Sequence, residues 1–491
     1  MIKLQLPKSA IVPSMITASL CALGFVIIGT THIYLIEQSI CHEYYSNLEP
    51  LNGGTLLLVD PKIPIEEELC KLPEIQATVA GIMGTFNFFS LVPTLFLVGP
   101  WGRLAQILGK KMVVTLNGIS AFTSVCYYIT ICYFPQYFNI RWIFATPLFD
   151  ILGGGQMMLM TLSYSYFAEE AEPEALSGIL YRFTTVQLLN AFLAMIFSSY
   201  MLRINVWLLA LCGVCVIFLT IPVALLLPAH SSTYTSVASS LAEDPTPASE
   251  TSSLLSHDSL KISSARHIIK ALLSNFTHSK QLYTSLLSSR RSTSLTLLVS
   301  FFLTLTGGIR VIFVQWASIH HGWAIADVTA LNSFEMIVSS AILLSLPVLS
   351  RRYLLPRLIS ASKVDLLLSG VCLSFHFIGL LCMALSPSRI PYIMSISVYT
   401  LGTGLPDSFR SFATGVMGEK EEVEKLYLGM GLMSTFGGMA ASKVWSWLFV
   451  YGLGKRWAAE RAPFWGVLGV VCVMGLILWR LRSFAKGIRI V

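Results

Sequence analysis

Along this chain the apolar residues fall into repeated runs of roughly 20, the length of helix that crosses about 30 Å of hydrocarbon. None of the runs alternates apolar and polar residues with a period of two, so they read as helices and not as strands. Lipid offers no water to satisfy backbone N–H and C=O groups, which leaves helices as the spanning form here. Helices are predicted at 11–36, 75–98, 111–133, 142–167, 178–201 and 204–228, then at 294–316, 325–348, 364–385, 390–414, 424–451 and 463–482. The expected fold class is an all-α polytopic membrane protein with about 12 transmembrane helices. The same pattern gives three parts: a six-helix half at 1–228, a polar linker at 229–293 and a second six-helix half at 294–491.

The linker has two textures. Residues 230–257 are rich in Ser, Thr, Ala and Pro, a composition that buries too little to order itself. Within 262–287, Ile262, Ile268, Ile269, Leu272, Leu273 and Phe276 recur at helical spacing among basic residues, which predicts an amphipathic helix on the inner membrane face. Glu250, Leu254 and Leu255 match an acidic dileucine sorting signal, although patterns this short also arise by chance.

Composition sharpens the membrane assignment. The chain is 54% hydrophobic and 12% charged, whereas soluble domains carry about a quarter charged residues. Net charge is +7, and its placement matters more than its sum. With both termini in the cytoplasm, 21 Lys and Arg fall in inside segments against 8 outside, the asymmetry that orients membrane helices. Topology thus accounts for the positive charge, and no nucleic-acid partner is expected. Metalloprotease and serine-hydrolase motifs are missing, as is any cofactor signature, so an enzyme is set aside. Eight of the ten cysteines lie in apolar runs; Cys41 and Cys70 bracket one outside segment, where an oxidising compartment favours a disulfide.

The segment Gly99-Pro-Trp-Gly102-Arg103-Leu-Ala-Gln-Ile-Leu-Gly109-Lys110-Lys111 resembles the G-x-L-A-D-R-x-G-R-K loop of the major facilitator superfamily, between the second and third helices. Gln106 stands where that family has Asp and Ile107 where it has Arg, which weakens the family's gating charge relay. Further pieces are similar to a fungal branch near the proton-coupled folate and haem-carrier transporters. They are Cys41-His-Glu-Tyr-Tyr45, Cys70-Lys-Leu-Pro-Glu-Ile-Gln76, Gly153-Gly-Gly155, Phe313-Val-Gln-Trp-Ala-Ser318 with Trp323, and the run Gly402 to Thr414. The fifth helix lacks the pattern that marks drug/proton antiporters, reading Gly178-Ile-Leu-Tyr-Arg-Phe-Thr-Thr-Val instead. The resemblance implies two halves rocking about a midplane site, with the first, fourth, seventh and tenth helices lining the cavity.

On those four helices the chain places His32, Asp150, Arg310, and Asp407 with Arg410. Charge inside hydrocarbon costs at least a few kcal/mol, so each is a candidate for function. A guanidinium such as Arg310 suits a substrate carboxylate or phosphate; alternatively it forms a buried ion pair with Glu335 on the eighth helix. Asp150 is a candidate proton carrier, with hydrogen bonding to a neighbouring helix as the plain alternative. His32 is a weaker proton candidate. Asp407 and Arg410, spaced i, i+3, are expected to pair with each other. Glu37, at the outer end of the first helix, is expected to be solvated.

The expectation is a monomeric secondary transporter of a small, anionic organic solute, working by alternating access with proton symport, and in the plasma membrane in preference to the vacuolar one. Two alternatives stay open: a non-transporting sensor on the same fold, and a drug or metabolite efflux pump.

Overall fold

The computed structural model describes residues 11–48, 64–170, 173–228, 291–349, 352, 361–416, 420–455 and 460–486. The predicted linker helix, the segment 230–257 and the sorting pattern at Glu250, Leu254 and Leu255 lie outside the described residues, as does the side chain of Arg103.

Among the described residues the chain is all helical. The N-terminal group comprises α1 (Ile11–Leu48), a short 3-10 turn (Leu69–Lys71), α2 (Pro73–Leu108), α3 (Lys110–Tyr133), a 3-10 helix (Ile140–Leu152) leading into α4 (Gly155–Glu170), α5 (Pro173–Leu202) and α6 (Val206–Leu225). The C-terminal group comprises α7 (Arg291–Gly307), α8 (Arg310–His321), α9 (Ile325–Leu349), α10 (Ala361–Leu385), α11 (Arg389–Thr400), α12 (Leu405–Val416), α13 (Lys420–Gly452) and α14 (Ala462–Lys486).

Ten helical stretches among the described residues are long and apolar enough to cross a membrane. Outside that set stand α11 with α12, which are two short pieces, and α13, which carries Gly and Ser where a lipid-facing helix would carry Leu. Those small residues serve packing instead. A Cβ on Gly84 of α2 would sit 2.5 Å from the Ser442 carbonyl of α13, and one on Gly438 would sit 2.9 Å from Leu91. Close approach of backbones is how helices gain contact where the surrounding lipid removes the usual hydrophobic drive. By this seam, and by α5 against α9, the two groups of helices join.

Four features depart from the sequence expectations. First, α1 runs to Leu48, past the predicted end at 36, because Ile36, Ile40 and Cys41 pack with Cys70, Ile75 and Val79. Second, the expected loop at 99–111 is helical as far as Leu108, and only Gly109 (φ 87) breaks the chain before α3. Ala105 is drawn into a core with Val113, Met158 and Leu162, which keeps that segment helical. Third, the fourth predicted helix begins as a 3-10 helix. Fourth, the seventh and tenth predicted helices are each broken, at 308–309 and 401–404.

Candidate functional site

Broken helices free backbone groups that need other partners inside a bundle. The 3-10 helix Ile140–Leu152 finds them on α3. Tyr127 donates to the Trp142 carbonyl (3.2 Å), Ser124 to Thr146 (3.5 Å), Ser120 to Phe149 (2.7 Å), and Asn117 to both Gly153 (2.8 Å) and Gly155 (2.7 Å). The four donors recur every three or four residues, one face of α3, and they grip the 3-10 helix along its length. Gly153 lies against that face so closely that a Cβ would sit 2.5 Å from the Asn117 Cα. Gly154 and Gly155 take φ of 79° and 73°, conformations that other residues rarely adopt. Asp150 lies in the last turn of the 3-10 helix: its carbonyl accepts from Gly153 and Gly154, and its half-buried carboxylate flanks Gly155.

In the C-terminal group two breaks meet. At 308–309 the Ile309 N–H turns to Thr306, and the Leu305 carbonyl accepts instead from the Trp445 indole at 2.6 Å. Arg310 opens α8 here and pairs with Glu335 of α9 at 2.7 Å. The Glu335 side chain is 7% exposed and that of Arg310 38%, so the pair joins an enclosed carboxylate to a partly accessible guanidinium. Arg310 also stands over the Tyr399 ring, 5.7 Å from its centroid, where α11 approaches its end. Tyr399 in turn packs on His376 of α10 with centroids 4.5 Å apart. Gly402, in the second break, closes against His376 and the Cys372 carbonyl, each within 2.7 Å of a built Cβ. His376 is not among the sequence candidates; an imidazole alone within the apolar run 364–385 is the signal that points to it.

Beyond the second break, α12 is sharply two-faced. Leu405, Phe409, Phe412 and Ala413 are buried, while Asp407, Arg410 and Ser411 line the opposite side. A stripe this polar faces water and not hydrocarbon. Arg410 and Asp407 pair at 3.6 Å, and Ser411 donates to Asp365 at 2.6 Å. Tyr164 of α4 lies within electrostatic reach of both charges, so α4 and α12 face one another across the two groups. Between α2, α8 and α13, Asn87, Ser90, Val311, Ser442 and Trp445 line a cavity of about 300 Å³.

The remaining candidates are more enclosed. His32 is buried between Tyr128, stacked at 4.6 Å, and Phe86, also at 4.6 Å. Among the described residues its Nε2 meets no hydrogen-bond partner. Gly102 lies within α2, Lys110 donates to Ser165 of α4 at 2.6 Å, and Lys111 is half-buried. Cys41 and Cys70 are joined by a disulfide. Beside it Glu37 is buried, not solvated: Lys71 pairs with it at 2.7 Å and Gln76 donates to the same oxygen. A carboxylate in that position needs partners from a distant segment, which a helix-end reading of the sequence cannot foresee.

No family model matches the chain. Among curated proteins, the MFS-type transporter aprT of Aspergillus flavus is 26% identical over 450 residues, which is 91% of this chain and 83% of that protein. The MFS efflux pump atnC of Emericella nidulans is 24% identical over 466 residues, 93% of this chain and 84% of its own length. Among solved structures, a D-xylose–proton symporter aligns with a TM-score of 0.61 at 10% identity, covering 96% of this chain and 98% of that one. The human organic anion transporter MFSD10 aligns with 0.54 at 14% identity, over 96% and 98% of the two chains.

The class these findings support is an integral, multi-pass membrane transporter, not an enzyme. Its fold is that of the major facilitator superfamily, whose name the two fungal relatives carry. Neither relative bears the name of the folate or haem-carrier transporters, the branch that the motifs resemble.

Proposed function

We propose that the chain is a secondary transporter that moves a small organic anion by alternating access, in symport with protons. In this reading about 12 helices cross the membrane as two six-helix halves, 1–228 and 294–491, with the linker 229–293 and both termini in the cytoplasm. The charge asymmetry of the loops supports that orientation. The observation that carries the proposal is the Arg310–Glu335 pair at the break between α7 and α8. It puts a permanent, partly accessible cation against a buried carboxylate.

When Glu335 takes a proton, Arg310 is released to bind the solute's anionic group; when Glu335 gives the proton up, it competes for Arg310 and favours release. Tyr399, itself packed on His376, carries the guanidinium over its ring. Asp407 and Arg410 line the approach, and Asp150 and His32 are second candidates for the coupled proton. The protein works as a monomer in the plasma membrane.

The test is uptake of a panel of labelled organic anions into proteoliposomes under an imposed pH gradient. Accumulation of one anion class that follows the gradient, and is lost in Glu335→Gln and Arg310→Gln, is the expected result. Uptake unaltered by both substitutions would sink the assignment.

A second reading, proton-driven efflux of a metabolite, gains support from the name of the Emericella nidulans relative. It uses the same pair with solute and proton moving in opposite directions. Solute that accumulates on the acidic side of the membrane marks exchange, and accumulation on the alkaline side marks symport.

A further inference from the structure

The first turn of α9 is gripped by the opposite group of helices. Its leading residue, Ile325, donates its N–H to the Glu67 carboxylate at 3.2 Å. The next, Ala326, accepts from the Ser199 hydroxyl of α5 at 2.8 Å. The third, Asp327, pairs with Arg203 at the end of α5. Ala324, which begins the turn by accepting from Asp327 and Val328, has no side-chain acceptor of its own. A helix start leaves four N–H groups without intrahelical partners, and here a carboxylate from across the molecule supplies one.

Glu67 is held for this task. It sits on the segment 64–71, which is pinned at several points. Gln38 of α1 brackets Ile65, accepting from its N–H (2.9 Å) and donating to its carbonyl (2.8 Å). Tyr45 donates to the Leu69 carbonyl at 3.1 Å and Gln76 to that of Cys70 at 2.9 Å. The Cys41–Cys70 disulfide ties the segment to α1, and Lys71 reaches Glu37. So braced, the segment is a rigid post that carries a carboxylate to a positive helix terminus.

We propose that Glu67, on its disulfide-braced post, together with Ser199 and Arg203, forms the latch that closes this end of the transporter by capping α9. Glu67 is a positioning residue: it controls which end of the cavity opens and touches no solute. The proposal rests on the alternating-access reading, but its readout is the opening of this end and not transport. The opposite end, where the polar stripe of α12 faces α4, is not joined by it.

The test uses the full chain in lipid nanodiscs, its eight free cysteines replaced and spin labels placed at Asn47→Cys and Ser388→Cys. Both positions are exposed, one in the last turn of α1 and one just before α11, so they lie on the two groups. The wild type is expected to give a short, narrow distance distribution. Glu67→Ala is expected to raise the long-distance population about fivefold, the size of effect seen when a helix loses a capping partner, and Arg203→Gln, which removes a largely exposed ion pair, to raise it by a smaller factor. Cys41→Ser with Cys70→Ser should do the same by loosening the post. Matching circular dichroism and melting curves would show that the variants fold. An unchanged distribution in Glu67→Ala overturns the latch, even if Arg203→Gln widens the gap. Widening without any solute transport in the wild type would leave the latch intact and count against the transport reading instead.

Discussion

Arg310 and Glu335 differ in how much of each water reaches, 38% against 7% of the side chain, and that difference orders the effects of removing them. Without Arg310, a nearly enclosed carboxylate is left without its cation, and removing one member of a buried pair costs about 3 kcal/mol or more. Without Glu335, the guanidinium still has the Tyr399 ring and an accessible flank. Thermal melts in detergent should therefore show Arg310→Gln well below wild type, with Glu335→Gln falling by a smaller margin. The double variant should melt close to Glu335→Gln alone. A double variant as unstable as the sum of the two would mean that the partners act independently. The sequence puts both residues at similar depth, yet leaves pairing and substrate contact as rival roles. It offers His376 only as a lone imidazole in an apolar run; the partner Tyr399 is an ordinary residue in another helix, and only the fold brings the two rings together.

At the scale of elements, helix positions are written in the apolar runs: α3 begins one residue before its predicted start and ends where predicted, and α10 does likewise at its C-terminal end. Helix pitch is not. Ile140–Leu152 has the composition of any membrane helix, and what holds it as a 3-10 helix is the row of donors on α3. Two expectations follow. Asn117→Leu removes two hydrogen bonds to carbonyls enclosed by the bundle, and should lower stability by about 2 kcal/mol. Gly153→Ala forces a methyl into the Asn117 backbone and should cost a similar amount, about 1–3 kcal/mol. Both are measured by melting in detergent, with Ser374→Ala on the exposed side of α10 as the control. Thr123→Ala, on α3 but off the donor row, should also be near neutral. If Thr123→Ala proves as harmful as Asn117→Leu, general packing of α3 and not the donor row sets the stability.

At the scale of the whole molecule, the end bearing Glu67 is tied across the two groups of helices, while the polar face of α12 looks towards Tyr164 of α4 at the other end. The proposed alternating cycle moves these two helices relative to one another. Cysteines at Tyr164 and Arg410, introduced after replacement of the free thiols, should cross-link with a short bifunctional reagent and stop transport, and reduction of a cleavable linker should restore it. Transport that continues at full rate with complete cross-linking would mean that α4 and α12 do not move relative to one another. This juxtaposition is not legible in the sequence, since Tyr164 reads as one more aromatic residue in an apolar run. Its meaning comes from the opposite helix.

The 3-10 helix also acts as a ruler. Each of its residues advances about 2.0 Å, against 1.5 Å in an α-helix. Rewound to α pitch, the 13 residues from Ile140 to Leu152 would draw in by about 6 Å and turn each successive side chain back by some 20°. Asp150, at the far end of the thread, would be carried round by more than half a revolution. The α3 donors bond to carbonyls along the thread and just past its end, so they keep this carboxylate at one bearing for as long as they hold.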